Sequence, residues 1–153
     1  MKDAVLSIKN LKIALPEGAD RDFAVDDVTY DLFPGEILCI VGESGSGKSM
    51  SANAAMGLLP DLVRPVGGEI IFDGTDVLKL SEAEMMDLRG KKIAMIFQEP
   101  MSALNPLMRV EDQIAEVFEA HGLLTPKERA ARAIELLTEV GIPDPQKAAR
   151  AYP

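Results

Sequence analysis

A chain of 153 residues with 47% hydrophobic and 27% charged side chains has the makings of one folded globular domain with a buried core, and it excludes a disordered polypeptide. Its 25 acidic against 16 basic residues give a net charge of −9, which excludes a general nucleic-acid binder and electrostatic adhesion to anionic lipid. The longest apolar run, Ile37-Leu38-Cys39-Ile40-Val41, is too short to span a bilayer, the first residues lack a signal-like apolar stretch, and the single Cys39 has no disulfide partner, so a cytoplasmic protein without membrane insertion is expected.

The first third reads as strands. Val5 to Ile13 is rich in Val, Ile and Leu and breaks at Pro16-Glu17-Gly18; a second extended stretch runs from Phe23 to Leu32 and stops at Pro34-Gly35. Glu36 to Val41 is apolar through its centre, the pattern of a strand covered on both faces, as in a parallel sheet. Glycines and serines follow, and Lys48 to Leu59 has helical composition, ending at Pro60. Gly67-Gly68 opens a strand from Glu69 to Phe72, closed by the turn pair Asp73-Gly74. Ser81 with Glu84 predicts a capping box and a short helix to about Gly90, and Ile93 to Phe97 reads as a second buried strand. Beyond it the pattern turns helical. Val110, Ile114, Val117 and Phe118 share one face of a helix stopped by Gly122. Thr125-Pro126-Lys127-Glu128 then supplies a cap, a proline at the first helical position and a capping box. Ala130, Ala133, Ile134, Leu137 and Val140 form the stripe of that last helix.

Gly42-Glu43-Ser44-Gly45-Ser46-Gly47-Lys48-Ser49 fits the phosphate-binding loop G-x-x-x-x-G-K-[ST] and lies between a predicted strand and a predicted helix, where that loop works. Glycines let backbone N–H groups close around phosphate oxygens, and the helix start adds the positive end of its dipole. The bland alternative, a flexible Gly/Ser turn with an incidental lysine, does not account for that context. The segment from Gly42 to Met50 is therefore the expected nucleotide contact, with Lys48 on the β/γ-phosphates of ATP and the Ser49 hydroxyl on Mg²⁺. The loop alone does not name the reaction, because kinases, GTPases, recombinases and transporters share it.

Three stretches resemble ABC-transporter ATPase subunits: Ala24-Val25-Asp26-Asp27-Val28 through Pro34-Gly35-Glu36 to Ser49, then Gly67-Gly68-Glu69-Ile70 with Phe72-Asp73-Gly74, and Ile96-Phe97-Gln98-Glu99-Pro100-Met101-Ser102-Ala103-Leu104-Asn105-Pro106. The third resembles the Q-loop of the dipeptide, oligopeptide and nickel importer group. This resemblance implies an α/β fold: a P-loop NTPase core of the ABC ATPase type with an antiparallel β-subdomain and part of the α-helical subdomain, C-terminally truncated. It implies one incomplete domain, with residues 1–97 as β-subdomain and core and residues 98–153 as Q-loop and partial helical subdomain. Gln98 would be the Q-loop glutamine, reaching Mg²⁺ and the attacking water and coupling the nucleotide to the helical part. The implied activity is ATP hydrolysis driving uptake of peptides or similar small solutes. The implied partners are transporter membrane subunits, contacted by Met101 to Pro106, and a second ATPase domain in a homo- or heterodimer. The implied location is the cytoplasmic side of the cell membrane, peripherally bound.

Other family parts have no match here. The chain shows no Walker B strand with its catalytic Glu, no Leu-Ser-Gly-Gly signature and no switch His. Ile70-Ile71-Phe72-Asp73 imitates Walker B, but Gly74 stands at the Glu position, so a hairpin turn is expected. His121 is expected to mark a helix end. Phe23 is the nearest aromatic for stacking on adenine, though its register is late, and Tyr30 is expected to pack within its strand or face solvent. The expectations for the isolated chain are loss of hydrolytic competence, open edges on Ile37–Val41 and Ile93–Phe97, marginal stability and aggregation. Two alternatives remain open: a non-transport P-loop kinase using Arg129, Arg132 and Arg150, or a nucleotide-binding interaction module without turnover.

Overall fold

A computed structural model of the protein describes residues 3–98 and 103–153. The chain divides between Arg89 and Gly90 into two compact units. In the first, β1 (Leu6–Ala14) lies between β2 (Phe23–Leu32) and β3 (Arg64–Phe72), and β4 (Thr75–Asp76) borders β3, giving an antiparallel four-stranded sheet of order β2-β1-β3-β4. The strands called from sequence at residues 5–13, 23–32 and 69–72 are all here. The β3–β4 link is the anticipated Asp73-Gly74 hairpin, with Phe72 opposite Thr75 and positive φ at both turn residues (48° and 79°), the signature of a type I′ turn.

The core of this unit depends on a bulge. Ile8 and Leu11 are three apart and would face opposite sides of a regular strand, yet both are fully buried with Ile13 and Ile70. Asn10, at φ 47°, inserts the extra residue that returns Leu11 to the core face. Its backbone N–H donates to Thr29 Oγ1 (2.9 Å) and its side-chain amide to Asp27 Oδ1 (2.9 Å). Burying each such isoleucine or leucine contributes about 1.5–3 kcal/mol, so the register is held by its core face.

Helix α1 (Lys48–Ala55) buries Ser51, Ala54 and Ala55. It ends four residues before the Leu59 expected from composition. The cause is Gly57, which at φ 64° donates to Ala54 O (3.1 Å) while Leu58 N donates to Asn53 O (2.8 Å), a Schellman closure. Helix α2 (Glu82–Leu88) begins with the predicted capping box: Ser81 Oγ accepts from Glu84 N, and Glu84 Oε2 accepts from Ser81 N (2.8 Å).

The second unit contains α3 (Val110–Ala120), α4 (Pro126–Glu139) and α5 (Pro145–Arg150), with Ala133, Leu137 and Ala149 buried. Thr125 and Glu128 form the expected capping box, and His121 sits at the C-cap of α3, just before Gly122. Val140, assigned to the apolar stripe of α4, is instead its exposed C-cap. Helix α5 escaped the sequence reading because six residues are too few to show a period; its signals are local, an Asp144 cap and Pro145 at the first helical position.

Two expected strands are absent. Glu36–Val41 and Ile93–Phe97 form no strand, and Ile37 (91%), Val41 (93%) and Ile96 (92%) are almost fully exposed. Continuous apolarity records a need for cover on both faces, whereas a strand exists only by hydrogen-bonding to a neighbour. Apart from a single bridge position at Ile93, whose carbonyl accepts from Gly90 N (2.9 Å), no such neighbour lies among the described residues.

Candidate phosphate-binding site

The loop hangs between the turn at Pro34-Gly35, where Glu36 Oε2 accepts from Phe33 N (2.9 Å), and the start of α1. Gly47 occupies the N-cap of α1 at φ 90° and offers no side chain to the free N–H groups of the first turn, which also carries no acidic residue. Among the other described helices, α2, α4 and α5 each have a side-chain cap (Ser81, Thr125, Asp144). Helix α3 also lacks a side-chain cap, but its first turn carries Glu111 and Asp112; among the described α-helices α1 alone combines an uncapped start with a first turn free of acidic residues, and its unsatisfied donors and dipole suit an anion. Gly47 is also sterically fixed, since a Cβ there would stand 2.5 Å from Ala24 O and 2.9 Å from Val25 Cγ2. Ala24 and Val25 are buried in β2, so the last glycine of the loop packs directly on the sheet.

Lys48 curls back over its own loop. Its Nζ donates to Gly42 O (2.7 Å), Glu43 O (2.7 Å) and Ser46 Oγ (3.2 Å), drawing the loop into a ring around the ammonium. Ser46 N donates to Glu43 O (3.2 Å), which tightens the same turn. Ser49 is exposed in the first turn of α1, its hydroxyl accessible to a cation arriving with a nucleotide. Among the described residues no group of acidic, His or Cys side chains could hold a metal ion by itself. Mg²⁺ therefore fits only as a companion of the phosphates.

A cavity of about 230 Å³ opens here, lined by residues 45–50 together with Leu15, Arg21 and Ala24. That is below the ~300 Å³ of a typical small-molecule site, so this surface encloses part of a nucleotide rather than the whole. A larger hollow of about 560 Å³ lies elsewhere, beside Gly57, Val63 and Met85, but has no open helix start. The uncapped helix carries the chemistry, whatever the volumes.

Two anchors were missed by the sequence reading. Arg89 donates through Nε to Met56 O (2.8 Å) and through Nη2 to Gly57 O (3.1 Å), capping the far end of α1 and fixing the helix that presents Lys48. Arg21 donates through Nη2 to Gly45 O (2.6 Å). Neither belongs to a recognisable motif, and no spacing rule would have found them. Phe23 does not line the cavity; the Lys12 ammonium sits 5.6 Å from its ring centroid.

Gln98 belongs to the second unit, where it is exposed in a bend. Of the segment expected to meet a membrane subunit, Met101 and Ser102 lie outside the described residues, as do Glu99 and Pro100 of the Q-loop match. Further on, Gln113 Oε1 accepts from Asn105 N (2.9 Å) and its amide donates to Asn105 O and Met108 O (both 3.0 Å), while Leu107 remains exposed.

Residues 25–152 match the ABC transporter family. The chain belongs to that family. It is 47% identical over 150 residues to the peptidoglycan transport ATP-binding protein YejF of Agrobacterium fabrum (strain C58), covering 97% of this chain and 28% of that protein. It is 45% identical over 153 residues to the oligopeptide transport ATP-binding protein OppD of Bacillus subtilis (strain 168), covering 97% of this chain and 42% of that protein. The dimeric post-hydrolysis structure of the ATP-binding cassette MJ0796, bound to ADP and Pi, superposes with a TM-score of 0.80 at 26% identity, over 97% of this chain and 61% of that one. The chain thus spans less than half the length of the two curated relatives. The fold is that of an ABC ATPase, with the four-stranded antiparallel sheet as its β-subdomain and the helices after residue 90 as part of its helical subdomain. No helix among the described residues is long and apolar enough to cross a membrane.

Proposed function

We propose that this chain is the ATP-binding part of an importer ATPase, which couples ATP hydrolysis to uptake of peptides or similar small solutes from the cytoplasmic face of the membrane. The observation that carries the reading is the uncapped, glycine-packed start of α1 with Lys48 poised beside it. The transport names of relatives such as OppD support the solute class.

In this reading the backbone of Gly42 to Gly47 cradles the phosphates and Lys48 exchanges its loop oxygens for β/γ-phosphate oxygens. Ser49 supplies a hydroxyl to Mg²⁺, and Met50 closes the cavity behind them. Gln98 serves as the Q-loop ligand of Mg²⁺ and of the attacking water. A bound Mg²⁺, which Ser49 and Gln98 would hold, would supply charge neutralisation at the phosphates, and the protein's share of such a reaction is positioning and electrostatic stabilisation. Phosphoryl transfer also needs a group that orients or deprotonates water. No carboxylate lines the cavity among the described residues, so this segment by itself binds without turning over. The exposed Ile37–Val41 run supports a whole domain in which further strands flank it, and the dimeric MJ0796 structure supports a second ATPase domain closing over the half-enclosed site. Membrane subunits would meet the segment after Gln98.

A kinase lid is not favoured. Arg129 is spent on Leu123 O (3.2 Å), Leu124 O (3.1 Å) and Glu119 (3.2 Å), and Arg132 on Glu135 (3.0 Å) and Glu139 (2.8 Å).

The test is equilibrium binding of Mg-ATP beside Lys48→Ala, with phosphate release followed in the same samples. The expected outcome is micromolar-range binding abolished by the substitution, with no release above background. Lys48-dependent turnover would overturn the non-hydrolysing reading, and binding indifferent to Lys48 would overturn the site.

A further inference from the structure

We propose that Arg89, locked by Glu82, is a positioning residue for phosphate binding: by holding the far end of α1 it keeps the first turn of that helix in the arrangement that receives the phosphates. The inference rests on the ATP-binding reading above, and in it Arg89 touches no ligand. Helix α1 has little of its own to hold it in place. Its eight residues are fewer than the ~12–15 that an isolated helix needs in water, and the side chains it buries, Ser51, Ala54 and Ala55, are small. Little apolar area is therefore available to fix the helix along or about its axis, and its placement falls to its two ends.

At the first end Gly47 packs against Ala24 O. At the other, the turn at Gly57 satisfies the carbonyls of Asn53 and Ala54, and beyond them the carbonyls of Met56 and Gly57 both accept from Arg89, through Nε (2.8 Å) and Nη2 (3.1 Å). The same guanidinium donates to both carboxylate oxygens of Glu82, Nη1 to Oε1 (2.6 Å) and Nη2 to Oε2 (3.2 Å). Glu82 is the first residue of α2 and Arg89 its C-cap, and the Ser81–Glu84 capping box fixes where that helix begins. One planar, forked donor thus ties the end of α1 to both ends of α2, which a single ammonium could not span. The Arg89 side chain is 19% exposed, so these bonds are largely sheltered from water. Its charge also meets the negative end of the α1 dipole, while the anion site lies at the positive end. Met85, buried on α2, closes on the same point: a Cβ at Gly57 would stand 3.3 Å from its Cε.

The test is equilibrium binding of Mg-ATP and Mg-tripolyphosphate to the full chain, Lys48→Ala, Arg89→Ala, Glu82→Gln and the double variant Arg89→Ala/Glu82→Gln. Denaturant midpoints are measured beside them, with Ile8→Val as a control for stability. Arg89→Ala is expected to weaken both probes about tenfold, as when the competent arrangement of α1 falls to roughly a tenth of the population. Glu82→Gln, which keeps an acceptor but removes the charge, is expected to weaken both about two- to threefold, and to add nothing once Arg89 is gone, because it acts only through the guanidinium. Ile8→Val lowers the midpoint through the core and leaves both affinities as they were, which separates lost stability from lost positioning. Unchanged affinities in either Arg89→Ala or Glu82→Gln, with dependence on Lys48 intact, would overturn the proposal and leave the ATP-binding reading standing. So would a loss confined to ATP, a Glu82→Gln effect that persists without Arg89, or affinities that follow the midpoint in every variant including Ile8→Val. Should Arg89→Ala fail to fold, Glu82→Gln decides alone by the same criteria. If the unaltered chain binds neither probe, or binds ATP regardless of Lys48, the ATP-binding reading itself fails and this inference falls with it.

Discussion

Strand β1 and the run from Ile37 to Val41 are both rich in aliphatic residues, and by composition the second has the stronger claim to the interior. The structure reverses that ranking. Ile8, Leu11 and Ile13 are fully buried between β2 and β3, while Ile37 and Val41 stand in solvent. Hydrophobicity supplies the drive to be covered, but a strand also has to place its N–H and C=O groups, and only a neighbouring strand can take them in a row. β1 has two such neighbours, through the hairpin-like return of β2 and the later arrival of β3. The run at 37–41 leads straight into the phosphate loop and has none among the described residues. Composition therefore says what a segment needs, and topology says whether this stretch of chain provides it.

Substitutions at matched positions test that contrast most strongly. Ile8→Ala is expected to lower stability by about 2–5 kcal/mol, the cost of a cavity in a packed core, and Ile37→Ala to change it by less than about 0.5 kcal/mol. Denaturant midpoints of the two variants measure the difference, and comparable losses would show that residues 37–41 are covered in solution. A middle-sized effect belongs to the helical unit, whose order depends on local chemistry rather than on long-range pairing. Thr125→Ala, which removes the capping box of α4, is expected to cost about 1 kcal/mol. Amide exchange should quicken in the first turn of α4 and stay unchanged in β1; spread of the effect into the sheet would contradict the separation of the two units.

The smallest effect is electrostatic and lies at the edge of the sheet. Burial of Asp76 works against its charged form. The hydrogen bond from Lys79 (2.8 Å), the Leu78 and Ile70 N–H groups (3.2 and 3.4 Å) and the Lys79 charge together outweigh it, holding the carboxyl below its ordinary value. A depressed carboxylate contributes stability that is complete above the unfolded value of about 3.9 and drains away as pH falls through the lower folded value. Asp76→Asn should therefore flatten part of the acid-side decline in denaturant midpoint and leave the pH dependence above about pH 6 unaltered. An acid slope identical to that of the parent chain would show that Asp76 is not held in this way.

The portions legible in the sequence were those whose signal is local. Both capping boxes, the Asp73-Gly74 turn, strands β1 and β2, and the helix that starts at the end of the phosphate loop each rest on residues within a few positions of one another. The ABC-type fold was legible through motif resemblance. What escaped rests on long-range geometry. The bulge at Asn10 follows from strands 17 and more residues away, Arg89 reaches back to Met56 and Gly57, and Arg21 crosses to Gly45. The missing strands at 36–41 and 93–97 are the same lesson with opposite sign, since their pattern was read correctly as apolar and as short of neighbours, and wrongly as strands that form without them.

The self-contained grip of Lys48 bears on which anions the loop can hold. Its ammonium already has three oxygens at hydrogen-bond distance, so an incoming ligand competes with the loop itself. A single orthophosphate brings few acceptors and must also give up its own hydration, leaving little net gain from the exchange. A chain of linked phosphates offers acceptors to Lys48 and to the open N–H groups of α1 together, within one binding event. The loop is thus expected to favour linked phosphates over a single small anion, because the oxygens that hold Lys48 must be given up in either case.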